Sequence, residues 1–337
     1  MRGSHSAAEN AAHMRRPLII AALTLALTAV AATSAAATFP GKNGPIAFRN
    51  VDFDTGFGLP LFRAQPDGSQ VTEISPLLGG FTDWRADGRR IAFEFVEDDF
   101  DIQIATMRPN GSRVRTLTSG TGIHEIPSWS PNGKRIVFDF SPEPDPSTPG
   151  FETRLRTMRA DGSHARPLPM SKKGFDVEPR YSPNGKWIAF DRLRFDDEGN
   201  FSQAAFVVKT KGNHRVRRLT PWELNAEHPT WSPDSKWILF NSSPNGDVQV
   251  VKPNGRKLHT IVPASEGFGG HKPWFSPNGK RIVFMCENQG TLLDPPPDYN
   301  EDICTMKANG TDIVHVIETP DTFENWPSWG PAPRKRK

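Results

Sequence analysis

Histidine and carboxylate side chains recur just ahead of a repeated Pro-x-aromatic motif, which is where this sequence offers the most chemistry. Imidazole nitrogen is a good ligand for zinc, copper and iron, whereas carboxylate oxygen is a good ligand for calcium, magnesium and manganese. A mixed set of both therefore predicts a site for manganese, zinc, iron or calcium. The candidate binding residues are His124, Glu125, Glu178, Glu227, His228, His271, Lys272 and Glu324, with His124, His228 and His271 as the candidate metal ligands. The same residues could instead bind a cationic group or a sugar, or the glutamates could only cap backbone groups.

Sequence motifs of the common catalytic classes are missing. The chain has no G-x-S-x-G elbow, no H-E-x-x-H zinc motif, no phosphate-binding loop and no dinucleotide fingerprint. The acidic run at 97–101 has the carboxylates of a calcium loop without its spacing, so it is either a solvated loop or a calcium site. Any chemistry therefore has to come from residues that the fold brings together.

The stretch 127–138, which reads PSWSPNGKRIVF, predicts a β-hairpin. Pro131 fixes φ at the first turn position, and Gly133 supplies the left-handed residue that a three-residue loop needs. In the strand that follows, Ile136 and Phe138 face one side and Val137 the other. Apolar residues on both faces predict a strand that is buried from both sides.

Copies of this hairpin run down the whole chain. The second turn residue recurs 44 to 52 residues apart, at Asn43, Asp87, Asn132, Asn184, Asp234 and Asn278, and Ile-x-Phe follows each copy. A second series of turns alternates with the first, at Gly68, Gly111, Gly162, Gly212, Gly255 and Gly310. A repeat of this length with two hairpins is typical of a propeller blade, so we predict an all-β, six-bladed β-propeller of four-stranded antiparallel blades.

The repeat P-x-W-S-P-D/N-G-K-x-I-x-F, followed by D-G-S and R-x-L-T, resembles that of the TolB-type, WD-repeat-like propellers across residues 39–330. The resemblance implies the propeller fold, and it does not extend to the N-terminal α/β domain that TolB proteins carry. It leaves function open, since such propellers include binding proteins and enzymes. Some TolB-like propellers resemble oligogalacturonate lyases with a histidine-lined metal site.

The two ends of the repeat are complementary. The first copy begins at Lys42 without its P-x-W strand, whereas 326–331 provides a spare one. We therefore expect the C-terminal strand to complete the first blade and close the ring without a free sheet edge. This makes 38–331 the propeller and 332–337 a basic C-terminal tail.

The repeat also predicts two unlike faces. Both turn series lie on one face. The long connections lie on the other face and contain most of the surplus carboxylates; they span 49–58, 95–101, 140–153, 192–202, 241–247 and 286–302. Variable loops on a rigid ring predict that binding takes place on the long-connection face, where the innermost strands also enter the central channel. We expect the motif aromatics Trp84, Trp129, Tyr181, Trp231, Phe275 and Trp329 to pack between blades rather than to bind a ligand.

A leader precedes the repeat. Met14-Arg15-Arg16 opens a basic segment, an apolar run follows to Ala32, and Ala35-Ala36-Ala37 is typical of a cleavage site. This pattern at 14–37, within a leader of residues 1–37, predicts a secretory signal peptide rather than a membrane anchor. No cysteine follows the predicted cleavage site to carry a lipid, so we expect a secreted or periplasmic protein.

The mature composition sets further bounds. A net charge of +3, part of it in the leader and tail, is too small to predict a nucleic-acid partner, and no later segment is apolar enough to span a membrane. We expect a monomer that binds a protein, peptide or glycan. Cys286 and Cys304, the only cysteines, fall on neighbouring strands of the sixth copy and predict a disulfide in an exported chain, the alternative being two buried thiols.

Two functions follow from these observations. The first is a non-catalytic binding module that uses the long-connection face. The second is a metal-assisted carbohydrate lyase or hydrolase with a His/Glu site at the channel mouth. Histidines 124, 228 and 271 gathered around one cation would favour the enzyme, and dispersed histidines would favour the binding module.

Overall fold

The computed structural model describes residues 39–52, 58–97, 101–142, 152–170, 175–196, 200–242, 246–264, 270–287, 301–319 and 322–334. All of these belong to the second of two compact units, Ser34–Lys337. Within them the strands are β1 (Asn43–Asp52), β2 (Gly58–Ala64), β3 (Thr72–Trp84), β4 (Ile91–Val96), β5 (Ile102–Met107), β6 (Arg115–Thr116), β7 (Ile123–Trp129), β8 (Arg135–Ser141), β9 (Arg154–Arg159), β10 (Arg166–Pro167), β11 (Phe175–Tyr181), β12 (Trp187–Phe195), β13 (Phe201–Lys209), β14 (Val216–Arg218), β15 (Ala226–Trp231), β16 (Ile238–Ser242), β17 (Asp247–Val251), β18 (His259–Val262), β19 (Gly270–Phe275), β20 (Arg281–Glu287), β21 (Glu301–Lys307), β22 (Val314–Ile317) and β23 (Thr322–Pro331). One 3₁₀ turn, Trp222–Leu224, is the only helical element among the described residues.

These strands form the four-stranded antiparallel blades of an all-β propeller, as the repeat predicts. Three blades are separate sheets, with the strand orders β11–β12–β13–β14, β15–β16–β17–β18 and β19–β20–β21–β22. The remaining strands form one eleven-stranded sheet with the order β10–β9–β8–β7–β5–β4–β3–β2–β1–β23, and β6 pairs with β5.

Two local joins hold the large sheet together. The 13-residue β3 pairs with β2 through residues 72–78 and with β4 through residues 79–84. β5 and β7 share a single parallel pair, Ile102 with Ile123. All its other pairings are antiparallel between successive strands or, for β1 and β23, between the two ends of the chain.

The turns have the geometry that their sequence predicts. In the hairpin between β7 and β8, Gly133 has a φ of 64°, its amide donates to the Ser130 carbonyl at 2.8 Å, and the Asn132 side chain accepts from the Lys134 amide at 3.0 Å. In the fifth copy Ser235 takes the place of glycine with a φ of 60°, and its hydroxyl accepts a hydrogen bond from the Asn184 amide at 3.0 Å. This side-chain bond offsets part of the strain of a left-handed serine.

The strand after each turn is buried on both faces, as predicted. Ile136, Val137 and Phe138 are fully buried. The six motif aromatics are also buried. The indole N–H of Trp231 donates a hydrogen bond to the Arg180 carbonyl at 3.0 Å, and that of Trp329 donates one to the Gly44 carbonyl at 3.0 Å. Their predicted packing role is confirmed.

The chain ends meet. β23 pairs antiparallel with β1, from Asn43 opposite Pro331 to Asp52 opposite Thr322. The tail also takes part, because the Ala332 amide donates to the Lys42 carbonyl at 2.9 Å. The predicted pairing of the C-terminal strand with the first strand is confirmed.

Three other expectations can be checked at this level. A disulfide joins Cys286 and Cys304, as predicted. None of the helices within the described ranges is long and apolar enough to cross a membrane. The connection predicted at 192–202 is wrong, because β12 and β13 pair from Trp187–Lys209 out to Phe195–Phe201 and leave only 196–200 between them. The central parts of the other long connections, the acidic residues 98–100 and the leader lie outside the described residues.

Candidate functional site

Each innermost strand carries a bulge at the same place in the repeat. Three residues before the motif aromatic, the register between the first and second strands shifts by one residue in all six copies. In five copies the residue there has a positive φ: Ile126, Glu178, His228, Lys272 and Trp326, between 50° and 56°. Such conformations cost on the order of 1–3 kcal/mol for residues other than glycine and concentrate at functional sites.

The bulge frees backbone N–H groups from the ladder, and buried polar side chains of the preceding blade accept them. The Ile126 amide donates to Glu94 at 2.8 Å, the His228 amide to Asp191 at 2.9 Å and the Lys272 amide to Asn241 at 3.2 Å. Each acceptor directly follows the Ile-x-Phe (or Ile-Leu-Phe) strand motif. These buried groups therefore have a structural role, because they satisfy donors that the bulge leaves unpaired.

We call the six residues at the bulge position the channel layer: Phe81, Ile126, Glu178, His228, Lys272 and Trp326. Its members meet although their strands do not pair with one another. Phe81 stacks on Trp326 with ring centroids 4.3 Å apart and lies 6.1 Å from the His228 ring. Side chains from β3, β11, β15, β19 and β23 thus converge at one point, as the prediction of a shared mouth requires.

Lys272 lies in an aromatic and acidic setting at this point. Its ammonium group is 4.4 Å from the Trp326 ring centroid and 5.2 Å from that of Phe81. The Arg49 guanidinium lies 4.2 Å from Trp326 as well. Burial lowers the pKa of Lys272 to about 8, although the carboxylates of Glu178, Glu301 and Glu227 act in the opposite direction. An aromatic cage with nearby carboxylates is a setting that binds cationic groups.

Below the channel layer, the residues directly before each motif aromatic form a deep layer: Asp83, Ser128, Arg180, Thr230, Trp274 and Ser328. All six are buried. Arg180 lies 5.0 Å from the Trp274 ring and donates to the Pro127 carbonyl at 3.2 Å. Cavities of about 20 and 10 Å³ lie between and within these two layers.

His228 is the centre of the polar part of the mouth. Its Nδ1 makes a close contact with the Glu178 carboxylate, and its Nε2 lies 3.8 Å from Glu227. Burial opposes ionisation of Glu178, but the charges of His228 and Lys272 and the bond from His228 outweigh it, so the pKa of Glu178 lies below its ordinary value. Asn241 donates to Glu227 at 3.2 Å.

Several other carboxyl groups behave in the opposite way. Burial, together with the nearby charges of Glu94 and Glu178, raises the pKa of Glu125 to about 8. Burial raises the pKa of Glu94 to about 7, and it also raises those of Asp139 and Asp191. Burial therefore favours the protonated form of these carboxyl groups, and an approaching cation would favour their ionised form.

The other predicted residues lie around this cluster. His124 packs against Phe138 and Phe140 of its own sheet, with the Phe140 ring 4.7 Å away, and burial lowers its pKa. His271 is half-buried and pairs with Met285 on β20. Glu324 is fully buried, which raises its pKa to about 7, and it accepts from Thr322 at 3.1 Å.

The predicted three-histidine metal site stays a prediction. Among the described residues, the groups of three or more side chains whose ligand atoms converge lie on the sheet of β19–β22 and include none of His124, His228 and His271.

Sequence reasoning missed half of the mouth. The aromatic residues Phe81 and Trp326 and the basic residues Arg49 and Arg180 were not among the predicted site residues. Glu94 was missed because it lies on a second strand rather than before a Pro-x-aromatic motif. A fixed offset in the repeat could have identified them. The channel-layer position lies three residues before each motif aromatic, and the position of Glu94 directly follows each second-strand motif.

A larger cavity lies elsewhere in the described part of the chain. It measures about 1150 Å³ and opens on the tight-turn face, lined by the turns at 183–184, 232–235, 277–279 and 308–309 and by Trp237. The N-terminal segment forms part of its wall, since Pro40 and Gly41 line it and the Gly41 amide donates to the Pro277 carbonyl at 3.1 Å. This cavity is therefore a second candidate binding site, on the face opposite to the long-connection face that the sequence predicts.

Comparison with known proteins identifies distant relatives. No family model matches the chain. It is 24% identical over 273 residues to the uncharacterized protein Atu1656 of Agrobacterium fabrum, which covers 68% of this chain and 88% of that protein. It is 25% identical over 171 residues to the uncharacterized peptidase YuxL of Bacillus subtilis, covering 51% and 23%. It is 27% identical over 177 residues to the Tol-Pal system protein TolB of Francisella tularensis, covering 52% and 38%.

Solved structures agree on the fold. TolB from Acinetobacter baumannii superposes with a TM-score of 0.68 at 23% identity, over 87% of this chain and 68% of that one. A TolB protein from Agrobacterium tumefaciens superposes with a TM-score of 0.59 at 17% identity, over 85% of this chain and 99% of that one. The chain therefore has the propeller fold of TolB proteins, as its repeat predicts.

Proposed function

We propose that this protein is an exported, non-catalytic binding module that holds a protein or peptide ligand at the mouth of its channel. The observation that carries the proposal is the channel layer. Six repeats place six different side chains at one position, which is strained in five copies, and five of the side chains meet in contacts between strands that do not otherwise pair. Among the described residues no group of converging ligand atoms contains His124, His228 or His271, which favours a binding module over a metal enzyme.

The chemistry of the mouth favours a ligand with a cationic side chain. Trp326 and Phe81 provide aromatic faces, and Glu178, Glu227 and Glu125 provide carboxylates around them. Lys272 already occupies the aromatic faces at 4.4 and 5.2 Å, as an internal cation would. A lysine or arginine of the ligand would compete for this setting or extend it toward Glu125.

Binding of a cation should release protons. With its pKa of about 8, Glu125 is mostly protonated at neutral pH, and Glu94 has a pKa of about 7. A cationic ligand stabilises the ionised form of both, so their protons leave as it binds. The affinity should therefore increase as the pH rises from about 6 to about 8.5, and the opposite trend would contradict a cationic ligand.

Two structural features belong to the same proposal. We take the propeller to have six blades, which the division of β3 between β2 and β4 and the single parallel contact between β5 and β7 support. We also take the chain to be secreted or periplasmic, which the disulfide and the leader sequence support. A ligand from the cell envelope or the medium follows from that location.

The alternative is a metal-assisted carbohydrate lyase or hydrolase. The mixed His/Glu composition of the mouth favours it, whereas the lack of a converging group with His124, His228 and His271 among the described residues does not. Incubation of the mature protein with polygalacturonate and Mn²⁺, followed by assay for unsaturated products, distinguishes the two functions. Turnover that is lost in the His228→Ala variant would replace the binding proposal.

The direct test is selection of peptides from a random displayed library on the mature protein, followed by calorimetry with an enriched peptide. We expect enrichment of Lys and Arg. Trp326→Ala and Glu125→Gln should each weaken binding by about 10-fold or more, since buried aromatic and charged contacts dominate such interfaces.

Trp237→Ala is the matched control. Trp237 is another half-buried tryptophan, but it lines the cavity on the tight-turn face. Its replacement should leave the affinity unchanged. Loss of binding in Trp237→Ala with full binding in Trp326→Ala would move the site to the tight-turn face, and a selection without any enriched peptide would contradict a peptide ligand.

A further inference from the structure

The sheet β19–β22 carries a second cluster of metal-ligating side chains, on β20, β21 and β22. Cys286 on β20 pairs with Asp302 on β21, and Cys304 on β21 pairs with His315 on β22. Asp302 and Cys304 are two residues apart on one strand and so share a face. The four side chains therefore form one patch on one face of three adjacent strands, with Cys286 on β20, Asp302 and Cys304 on β21 and His315 on β22.

Side-chain contacts confirm that the patch is continuous. The disulfide joins Cys286 to Cys304. His315 Nδ1 lies 2.8 Å from an Asp302 carboxylate oxygen and 4.0 Å from Cys286 Sγ. The potential ligand atoms of Cys286, Cys304 and His315 all lie within 4.8 Å of one another, and those of Asp302, His315 and Glu318 do so too.

Burial gives the patch a closed and an open side. Both cysteines and Asp302 are buried. The cysteines belong to an apolar cluster that includes Phe284 and Leu239. The His315 side chain is 46% exposed at the edge strand. His315 is therefore the solvent-exposed member of an otherwise buried donor set.

We propose that reduction of the disulfide converts this patch into a zinc-class metal site with Cys286, Cys304, His315 and Asp302 as ligands. Two thiolates, one imidazole and one carboxylate make a four-coordinate set of the kind that Zn²⁺ prefers, with distances of about 2.3 Å to sulfur and about 2.0–2.2 Å to nitrogen and oxygen. The ligand atoms of Cys286, Cys304 and His315 lie within 4.8 Å of one another, and the Asp302 carboxylate lies 2.8 Å from His315. After reduction, side-chain rotations would bring these four groups around one ion.

The chemistry has two balanced steps. A dithiol reductant gives two electrons and two protons to the Cys286–Cys304 bond, and it leaves as its own disulfide while both cysteines become thiols. The divalent ion then binds both sulfur atoms as thiolates, and the two thiol protons go to solvent. The disulfide and the metal site are thus alternative states of one patch, so the protein would take up metal only after reduction.

Cobalt(II) is the probe, because its thiolate charge-transfer band and its tetrahedral visible bands report the ligand set. The full mature chain is reduced with a dithiol, freed of reductant without air and titrated with Co²⁺, with circular dichroism recorded on the same sample. We expect one tetrahedral, thiolate-bound cobalt ion per folded reduced chain, its displacement by Zn²⁺, and no such band in the oxidised chain.

Variants test the other two ligands. His315→Ala and Asp302→Asn should each weaken cobalt binding by about 10–100-fold. His259→Ala is the matched control, since His259 is exposed on β18, the corresponding outer strand of the neighbouring sheet. Three results would overturn the proposal: a reduced chain without the thiolate band, a band that His315→Ala leaves unchanged, or unfolding of the chain on reduction.

Discussion

Two positions of the same repeat, only three residues apart, have opposite characters. The motif position holds Trp84, Trp129, Tyr181, Trp231, Phe275 and Trp329, which are all aromatic and all buried. The channel layer holds two aromatic residues, an isoleucine, a glutamate, a histidine and a lysine. Where six copies keep one chemistry, the requirement is packing between blades. Where they diverge on a common strained backbone, the ring presents a single asymmetric surface, which is what a specific ligand needs.

The largest effect should come from removing the strand that carries the last copy of both positions. A chain that ends at Thr319 loses β23 and exposes the edge of β1, with Ile46 and Phe48 next to it. We expect loss of cooperative unfolding, because an open ring has two unpaired sheet edges. Deletion of 335–337 keeps every contact of β23 and is the control. A Thr319 truncation that melts like the full chain would contradict closure by β23.

A tryptophan at each position gives the sharpest contrast. Trp231→Ala empties a fully buried site and removes the bond to the Arg180 carbonyl, so it should lower the free energy of unfolding by about 3–5 kcal/mol. Trp326→Ala removes a half-buried ring stacked on Phe81 and should cost about 1–2 kcal/mol. Urea unfolding measures both.

Ligand binding should rank the same two variants in the reverse order. The Trp231→Ala protein, where it folds, should keep its affinity for the selected peptide, and the Trp326→Ala protein should lose it. If both variants lose stability and affinity in the same proportion, the motif position does not serve packing alone and the channel layer does not serve binding, and our inference is wrong.

The buried acceptors of the bulge should give the protein an unusual pH dependence. Burial raises the pKa of Glu94 from 4.5 to about 7, so between these values the folded chain holds a proton that the unfolded chain has lost. The free energy of unfolding should therefore fall as the pH rises through this window.

Glu94→Gln keeps an acceptor for the Ile126 amide but cannot ionise. It should reduce this fall in stability by up to roughly 3 kcal/mol, measured by urea unfolding between about pH 5 and about pH 8. Glu73→Gln, an exposed carboxylate on β3, is the control and should leave the slope unchanged. Equal slopes in both variants would show that Glu94 ionises normally in the fold.

How far the sequence predicted these features depended on repetition. The turns, the doubly buried strands, the aromatic packing, the pairing of β1 with β23 and the disulfide all follow from patterns that recur or from the type of residue involved. Repetition averages out local ambiguity, so a turn with Asn or Asp at the same position in all six copies is a firm prediction. The three-histidine grouping depended instead on single residues, and it stays a prediction.

The bulge could not be predicted from local rules. Five channel-layer residues directly precede a proline, and a residue before proline ordinarily prefers the extended region, yet these have positive φ. The cause is tertiary, since groups such as Glu94, Asp191 and Asn241 of a neighbouring blade accept the freed amides. The contact between Phe81 and His228 has the same origin, because it needs the closed ring rather than any sequence neighbour.

Hydrogen exchange on binding of the selected peptide tests the central claim most directly, because it locates the ligand without altering the protein. The account predicts slower exchange at the bulge amides of His228, Lys272 and Trp326 and unchanged exchange at the turns 232–235 and 277–279 on the opposite face. Protection of those turns, with bulge amides that exchange as they do in the free protein, would contradict it.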